Sequence, residues 1–281
     1  MRISVILSTY NRPADLERVL WGYAAQADRD FELVVADDGS GPETAEVVRH
    51  VGREAGLDPL HVWHEDRGFR KTEILNRAIL AAGGEYLLFS DADCIPRDDF
   101  VATHLRLAER GRFLSGGYLK LPREVSEAIT VDDVRSGRVA DAAWLRGRGW
   151  RAGRHALRLV RSGGVARLLD AATPTRATWN GHNASTWKEA LVAVNGFDLD
   201  MAYGGLDRAL GERLENAGVR GKQVRFRAPC LHLWHERPYA DPVKWERNRE
   251  ARARIRSEGT TRAERGIAEL AAGPGEGGGV S

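Results

Sequence analysis

The amino-acid sequence predicts an α/β fold with a mostly parallel central sheet flanked by helices. Short apolar runs of strand length alternate with amphipathic runs of helical length through roughly the first hundred residues. Such alternation is typical of βαβ units, and βαβ units build parallel sheets. The second half of the chain lacks this regularity and contains an arginine-rich stretch. We therefore expect an irregular helical insertion in that half.

One stretch, residues 86–93, indicates where a ligand would bind. Residues 86–89 are continuously apolar or aromatic, as in a strand buried on both faces. Asp91 and Asp93 follow, and their side chains fall on the same side because strand side chains repeat every second residue. The end of a parallel strand opens into the crevice where α/β sheets bind ligands. Two carboxylates there repel each other unless a divalent cation joins them. The alternative is that one aspartate caps the next helix and the other is exposed.

The elements of the first half follow from the same patterns. We predict helices where apolar residues recur at helical spacing and strands where apolar residues are continuous. The predicted strands are residues 3–7, 32–36, 60–63 and the run that ends at Asp91. The predicted helices are residues 14–25, 43–55 and 71–82.

The second half is predicted to be mainly helical. The predicted helices are residues 100–109, 186–194 and 208–217, and the predicted strands are residues 113–119 and 223–227. A charged helical extension is expected from Asp241 to about residue 270. Residues 271–281 are rich in glycine and cannot bury a core, so we expect them to be disordered.

Composition sets further bounds on the class of protein. The 281 residues suffice for one large α/β domain or two small ones, and 42% apolar residues with eight tryptophans allow a sizeable core. Cys94 and Cys230 lack metal-ligand spacing, so free thiols are expected and a disulfide stays open. The apolar N-terminus has strand length, and no run reaches the length of a membrane span. These observations favour a cytoplasmic protein.

An arginine-rich segment, residues 135–167, interrupts the second half. It contains nine arginines against one acidic residue, Asp141, and it includes Trp144 and Trp150. One interpretation is a solvated helical face whose long side chains cover apolar neighbours. The others are a basic aromatic surface for an anionic membrane or for a phosphorylated acceptor. Nucleic acid is not expected, because no known reader motif is present.

The loops after the predicted strands carry groups that suit a nucleoside diphosphate. The carboxyl ends of parallel strands share one sheet edge, so these loops should lie together. They supply an aromatic side chain, hydroxyls, cations and carboxylates: Thr9, Tyr10, Arg12, Asp38, Arg70, Lys71, Asp91 and Asp93. No Gly-x-Gly-x-x-Gly follows the first strand and no Walker-type loop occurs, which argues against a dinucleotide site and a P-loop.

At this point the chain resembles the family 2 glycosyltransferases with the GT-A fold, over about residues 3–239. The resemblance rests on motifs in the family's order. They are residues 4–13 (SVILSTYNRP), 34–40 (VVADDGS), 68–71 (GFRK) with Asn76, and 91–93 (DAD). Two later motifs, residues 195–198 (NGFD) and 203–207 (YGGLD), resemble the galactosyltransferase-type element of this group.

The resemblance assigns the donor side of the site. It implies that Asp38 binds a uracil-type base, and that Asp91 contacts ribose or metal-bound water. It also implies further donor-binding residues: Thr9, Tyr10, Arg12, Arg70, Lys71 and Asn76. Asp93 would be the principal metal ligand, with His232 and His235 spaced like the late metal ligands of related galactosyltransferases. Imidazole and carboxylate ligands suit Mn²⁺ better than Mg²⁺.

The resemblance also assigns the base and the acceptor side. Asp207 matches the family's catalytic base, although an aspartate at a helix start could instead be an N-cap. The expected acceptor-side residues are Trp179, Tyr203, Gly204 and Gly205, and the glycine pair would let a substrate approach the backbone. The family usually has a glutamate that helps bind the acceptor where this chain has Leu206. This departure leaves the acceptor's identity open.

The expected activity is therefore inverting, metal-dependent transfer of a hexose or N-acetylhexosamine from a UDP-sugar to an acceptor hydroxyl. Galactose is the favoured sugar, and the acceptor would be a glycan, a glycolipid or a small molecule. A nucleotidyltransferase that forms NDP-sugars and a catalytically silent sugar-binding protein are the alternatives. We expect a GT-A domain over residues 1–240, with a nucleotide-sugar half (1–98) and an acceptor half (99–240) that carries a basic insertion at about 122–178. The oligomeric state is left open.

Overall fold

A seven-stranded sheet forms the centre of the computed structural model, which describes residues 1–151, 153–236 and 242–271. The strands of this central sheet are β1 (Ile3–Thr9), β2 (Glu32–Asp37), β3 (Leu60–Trp63), β4 (Tyr86–Asp91), β6 (Arg112–Ser115), β8 (Ala184–Trp187) and β9 (Arg220–Gln223). A second sheet contains β5 (Cys94–Pro96), β7 (Gly117–Lys120) and β10 (Pro229–His232). The strand orders are β3-β2-β1-β4-β8-β6-β9 and β5-β10-β7.

The helices connect these strands and cover the central sheet. They are α1 (Pro13–Ala24), α2 (Pro42–Ala55), α3 (Lys71–Ala81), α4 (Phe100–Leu107), α5 (Arg123–Ala128), α6 (Val131–Arg135), α7 (Ala142–Gly147), α8 (Gly163–Ala172), α9 (Lys188–Ala193), α10 (Leu206–Asn216), α11 (Pro242–Glu258) and α12 (Ile267–Ala271). Two 3₁₀ turns, Arg138–Ala140 and Gly153–Leu159, lie within the arginine-rich segment.

The α/β class and the mostly parallel sheet are confirmed. In the central sheet only β8 runs antiparallel to its neighbours, β4 and β6. All seven residues of β1 are buried, and its four apolar residues are divided between two apolar clusters on opposite faces of the sheet. Val5 and Leu7 join the cluster formed with α1, α2 and the second sheet, whereas Ile6 joins the cluster formed with α3 and α10. Burial on both faces explains why these strands are continuously apolar rather than alternating.

The first four strands and three helices lie where the sequence predicts them, but the second half differs. The predicted strand 113–119 is two strands, β6 and β7, which separate at Gly116 and enter different sheets. The predicted strand 223–227 is wrong, because the carboxylate of Asp170 accepts hydrogen bonds from Phe226 N and Arg227 Nε and holds a turn there. The helix predicted for residues 186–194 begins at Lys188, two residues later than predicted, because Thr186 and Trp187 belong to β8.

The C-terminal extension contains two helices rather than one. The charged run is broken between α11 and α12. The predicted disorder after Ala271 concerns residues outside the described part of the chain, and so does the link between residues 236 and 242. No helix among the described residues is both long enough and apolar enough to cross a membrane.

The arginine-rich segment packs against the body of the protein through several of its arginines. Arg158 donates to the carbonyl of Tyr118, and Arg161 pairs with Asp98 at 2.8 Å. The guanidinium of Arg135 lies over the ring of Trp21, 4.6 Å from its centroid. These contacts favour the interpretation in which the long side chains cover protein neighbours. Contact with an anionic membrane stays a prediction.

Asn183 joins the two sheets at the point where β6 and β7 separate. Its buried amide Nδ2 donates to the carbonyls of Gly117 and Ala228, both at 2.7 Å, and its Oδ1 lies 3.0 Å from Nε2 of His104. A Cβ at Gly116 would fall 1.9 Å from Asn183 Oδ1, so only glycine leaves room for this amide. The chain can therefore change sheets at Gly116 because Asn183 satisfies the backbone there, through its own carbonyl to the Gly116 N–H and through its side chain to the Gly117 carbonyl.

We predict that Asn183→Ala lowers the free energy of unfolding by about 2–4 kcal/mol, since it leaves two buried carbonyls and His104 without their partner. Urea denaturation followed by circular dichroism measures the change. Asn180→Ala is the matched control, because this substitution removes one long hydrogen bond, from Asn180 Nδ2 to Ser115 Oγ at 3.3 Å. Equal stability of Asn183→Ala and the unmodified protein would contradict the joining role.

Candidate active site

The ends of the parallel strands form one side of a cleft of about 500 Å³. The register places Ser8 of β1 beside Asp91 of β4, and Thr9 of β1 beside Asp37 of β2. The cleft is lined by eleven residues that the sequence assigned to the site: Thr9, Tyr10, Arg12, Asp38, Lys71, Asp91, Asp93, Tyr203, Asp207, His232 and His235. Loops that are distant in sequence therefore meet here as expected of a parallel sheet edge.

Asp91 is held by a cation and a hydroxyl at the end of β4. Lys71 Nζ lies 2.8 Å from Asp91 Oδ1, and Ser8 Oγ donates to the same oxygen at 2.5 Å. Burial disfavours the ammonium of Lys71, but Asp91 and Asp207 outweigh it and raise the pKa of Lys71. Lys71 is therefore a fixed positive charge between two carboxylates of the cleft.

Asp93 faces two histidines that come from β10 and the residues after it. His235 Nε2 lies 3.1 Å from Asp93 Oδ2, and His232 Nε2 lies 4.0 Å from Asp93 Oδ1. The two imidazole rings are stacked, with centroids 5.3 Å apart. The register that pairs His232 with Cys94 carries His232 to the carboxylate.

The backbone fixes which nitrogen of each histidine is protonated. His232 Nδ1 lies 2.7 Å from the carbonyl of Leu233, and His235 Nδ1 lies 2.8 Å from the carbonyl of Glu236. A carbonyl only accepts, so Nδ1 must carry the proton and Nε2 presents a lone pair to the carboxylate in the neutral ring. Hydrogen bonds of this kind orient the histidine ligands of metal sites.

His235 Nε2 contacts the carboxylate of Asp93, and ligand atoms of Asp93 and His232 lie close enough together to share a divalent cation. In its absence, the hydrogen bond to Asp93 raises the pKa of His235. Burial raises the pKa of Asp93, but the hydrogen bond from His235 outweighs it and the pKa lies below its ordinary range. Cys94 also lies close enough to Asp93 and His232 to share an ion, but burial raises its thiol pKa, and Sγ donates to Asp93 at 3.4 Å. Cys94 and Cys230 are free, as predicted.

Asp38 forms the second carboxylate centre, on the β2 side of the cleft. Its Oδ1 lies 2.9 Å from His64 Nε2, and its Oδ2 accepts the backbone N–H of Arg70 at 3.2 Å. Burial raises the pKa of Asp38, and the hydrogen bonds from His64 and Arg70 oppose that rise. Nearby, Tyr10 donates its hydroxyl to Asp66 at 2.9 Å, which ties the loop after β1 to the loop after β3.

Asp207 is the second residue of α10, and it is not the N-cap. The N-cap position is Gly205, and no side chain caps this helix. Asp207 Oδ1 is buried and accepts no hydrogen bond of normal geometry from the described residues. Burial raises the pKa of the Asp207 carboxyl to about 6, Asp91 adds to the rise, and Lys71 opposes it. A carboxylate with a raised pKa and an unused oxygen is suited to accept a proton.

Five of the residues assigned from sequence do not line the cleft. Asn76 is fully buried and exchanges two hydrogen bonds with the backbone of Phe197, so its donor-binding assignment is corrected to a structural one. Trp179 is also fully buried, and its ring packs edge-on against Phe89, which corrects its acceptor-side assignment. The guanidinium of Arg70 points away from the cleft, to Glu73 and the carbonyl of Glu65.

Gly204 and Gly205 make room for side chains of α11 rather than for a substrate. A Cβ at Gly204 would fall 2.3 Å from Trp245 Nε1, and a Cβ at Gly205 would fall 3.2 Å from Arg252 Cδ. Both φ angles, +94° and +115°, lie in the left-handed region that favours glycine. The space beside Gly204 and Gly205 is therefore occupied by side chains of α11. This corrects the prediction that the glycine pair lets a substrate approach the backbone.

Four residues that contribute to the site were missed by the sequence reasoning. Ser8, Phe69 and His182 line the cleft, and His64 holds Asp38. Burial lowers the pKa of His182 to about 4, so its imidazole is neutral and can accept or donate a single proton. The sequence Asn180-Gly181 is typical of a turn, and it stands just before His182. This turn signal is the one pattern that could have indicated that His182 lies on a loop near the site.

Comparison with known proteins gives a consistent result. The family model described as glycosyl transferase family 2 matches residues 4–128. A validoxylamine A glucosyltransferase of Streptomyces hygroscopicus subsp. limoneus is 33% identical over 233 residues, which cover 77% of this chain and 48% of the relative. The chain thus spans about half the length of that curated relative.

Solved structures share the fold at low sequence identity. A mannosyltransferase from Pyrobaculum calidifontis, in complex with GDP-Man and Mn²⁺, is 20% identical with a TM-score of 0.55 over 97% of this chain and 75% of that one. Glucosyl-3-phosphoglycerate synthase from Mycobacterium tuberculosis, in complex with Mn²⁺, UDP and phosphoglyceric acid, is 21% identical. Its TM-score is 0.53, over 90% of this chain and 78% of that chain.

We predict that Asp207→Asn makes the folded protein more stable at neutral pH. The pKa of about 6 lies above the ordinary aspartate value of 3.8, so the folded state loses stability as pH rises from about 4 to 6. Asparagine removes this penalty, which we expect to be on the order of 1–2 kcal/mol for a carboxylate that faces a solvent-filled cleft. The melting temperature should rise by about 2–4 °C at pH 7.5.

Thermal melts at pH 7.5 and pH 4.5 test this expectation, because the difference between the proteins must shrink at the lower pH. The exposed Asp58 provides the control, since Asp58→Asn should move neither melt. A destabilised Asp207→Asn at pH 7.5 would show that the carboxylate holds the fold together instead.

Proposed function

This chain belongs to glycosyl transferase family 2 and has the GT-A fold, and we propose that it is an inverting, metal-dependent glycosyltransferase. The proposed reaction moves a hexosyl or N-acetylhexosaminyl group from a UDP-sugar to an acceptor hydroxyl. One observation carries the proposal: a single cleft gathers a base-binding carboxylate (Asp38), a metal-type carboxylate (Asp93) with two histidines, and a raised-pKa carboxylate (Asp207).

The donor would lie along the β1–β4 edge. Thr9 and Tyr10 line the cleft beside Asp38, so a uracil ring placed there meets a hydrogen-bonding carboxylate and an aromatic side chain. The solved neighbour that contains UDP supports a uridine nucleotide, and the glucosyltransferase relative supports a hexosyl donor. We propose the same donor class for this chain.

The diphosphate would lie between Lys71 and the Asp93 cluster. Asp93, His232 and His235 would hold a divalent cation, which when bound neutralises charge on the leaving diphosphate. Lys71 is already charged and fixed by Asp91, so it offsets the same growing charge without rearrangement. The Mn²⁺ in two solved neighbours supports manganese as the ion.

Asp207 would take the proton from the acceptor hydroxyl as that oxygen attacks the anomeric carbon. A pKa of about 6 keeps the carboxylate mostly ionised at neutral pH while making it a stronger base than an ordinary aspartate. Its unpartnered Oδ1 leaves an acceptor position for the hydroxyl proton. A single displacement of this kind inverts the configuration, because the hydroxyl enters opposite the leaving diphosphate.

We predict that the protein hydrolyses a UDP-sugar slowly in the presence of Mn²⁺, and that EDTA or Asp93→Ala abolishes this activity because the diphosphate loses its counter-charge. Release of UDP from UDP-galactose, UDP-N-acetylgalactosamine, UDP-glucose and UDP-glucuronate measures it. The galactosyltransferase-type motif favours UDP-galactose and the glucosyltransferase relative favours UDP-glucose, so the panel distinguishes them.

Asp98→Ala is the matched control, because Asp98 is a partly exposed carboxylate that pairs with Arg161 at a distance from the cleft. Full activity in Asp93→Ala would refute the metal assignment. Release of pyrophosphate from UTP and a sugar 1-phosphate would instead identify a nucleotidyltransferase. Absence of both activities, with UDP still bound, would leave a silent sugar-binding protein.

We predict that Asp207→Asn retains UDP binding but lowers the rate of transfer by about 10²–10⁴-fold, since the acceptor proton has no base. In the unmodified protein, kcat/KM should fall below about pH 6 with a slope of one, because the base must be deprotonated. Initial rates from pH 5 to 8 check both statements. Undiminished turnover in Asp207→Asn would remove Asp207 from this role.

A further inference from the structure

Two aromatic side chains line the cleft, and a third packs against the loop that carries one of them. Phe69 and Tyr203 line the cleft, and their rings meet edge-to-face with centroids 5.9 Å apart. Trp245 of α11 lies against the same loop, at Gly204. Phe69 is 39% exposed and Trp245 is 52% exposed, so both rings present apolar surface to solvent. Exposed aromatic clusters at a cleft are typical of ligand-binding surfaces.

The fold is arranged to hold Trp245 at this place. The φ of +94° at Gly204 and the 2.3 Å approach of Trp245 Nε1 to its missing Cβ together exclude any side chain there. Asn248, one turn further along α11, is buried and donates to the carbonyls of Ala202 and Gly204 at 2.9 and 2.7 Å. The loop before the catalytic helix is thus shaped around two side chains of α11.

Ion pairs fix the same helix on α10. Arg252 and Arg256 each lie 2.7 Å from Glu212 Oε1. These ion pairs link α11 to α10, the helix that carries Asp207. The position of the Trp245 indole relative to Asp207 is therefore set by the packing of these two helices. An indole that served only the core would be covered, whereas this one is half exposed.

We propose that Phe69, Tyr203 and Trp245 form the acceptor subsite, and that it takes a neutral polyhydroxylated ring, a saccharide or a cyclitol. Such a ring has an apolar face of C–H groups that packs on aromatic surfaces, and hydroxyls at its edge that can reach Asp207. Trp245 lies outside the segment that the family model matches, so the third aromatic side chain of the subsite comes from the C-terminal extension. The proposal rests on the proposed function, because it deepens the acceptor side of the same cleft.

The test measures ring binding separately from donor binding. Saturation-transfer NMR with cellobiose and myo-inositol, in the presence of UDP and Mg²⁺, reports contacts to ring C–H protons. We expect signals for both rings with the unmodified protein, weak signals for the acyclic polyol sorbitol, and an approximately five-fold loss of ring signal in Trp245→Ala. Trp245→Phe should retain most of the signal because it keeps an aromatic face.

Trp63→Ala is the matched control, since Trp63 is also 52% exposed but lies at the end of β3, where its Nε1 donates to the carbonyl of Ser40. A thermal shift by UDP in every variant shows that the donor site is intact. Equal ring signals in Trp245→Ala and the unmodified protein, or equal signals for sorbitol and the rings, would overturn the subsite. Loss of UDP binding in the unmodified protein would instead overturn the proposed function.

Discussion

The site depends on one strand pairing, between β5 and β10. This pairing places His232 opposite Cys94, and the Leu233 N–H donates to the carbonyl of Asp93 at 2.8 Å. Two short strands from distant parts of the chain thereby place the imidazoles of His232 and His235 beside the carboxylate of Asp93. The central sheet supplies the proposed nucleotide-binding edge, and the second sheet positions the proposed metal ligands. A shift of one residue in this register would turn His232 to the opposite face.

The cleft also illustrates how a site holds several carboxylates in little space. Asp91, Asp93 and Asp207 all lie there, and their mutual repulsion is offset by Lys71 on one side and the two histidines on the other. Asp207 has the weakest compensation, which is why its pKa rises to about 6 while those of the other two fall. The same imbalance that stabilises the protonated form makes this carboxylate the strongest proton acceptor of the three, which supports the proposed role as base. The environment that raises the pKa of Asp207 therefore lowers the stability of the folded protein at neutral pH and at the same time makes Asp207 a better proton acceptor.

Much of this arrangement could be predicted from the sequence, because β1, β2 and β4 are apolar on both faces and each ends in a motif. The second sheet could not, since β5 has three residues and β10 has four, too few for periodicity to show. Motif matching also could not separate residues that touch a ligand from residues that hold the loops. Asn76 and Trp179 match by position, yet both are fully buried, and the hydrogen bonds and ring contacts that bury them come from segments far along the chain.

Leu206 has a structural role that a glutamate at the same position could not fill. It is buried at the first position of α10, in the same apolar cluster as Met201 and Ile255 of α11. A glutamate at this position would place a charge in that cluster, and α11 would lose an apolar contact surface. With leucine present, α11 packs onto the loop before Asp207 and places Trp245 against Gly204. The residue that replaces the family's glutamate is thus part of the packing that holds Trp245, the aromatic side chain of the proposed acceptor subsite, in place.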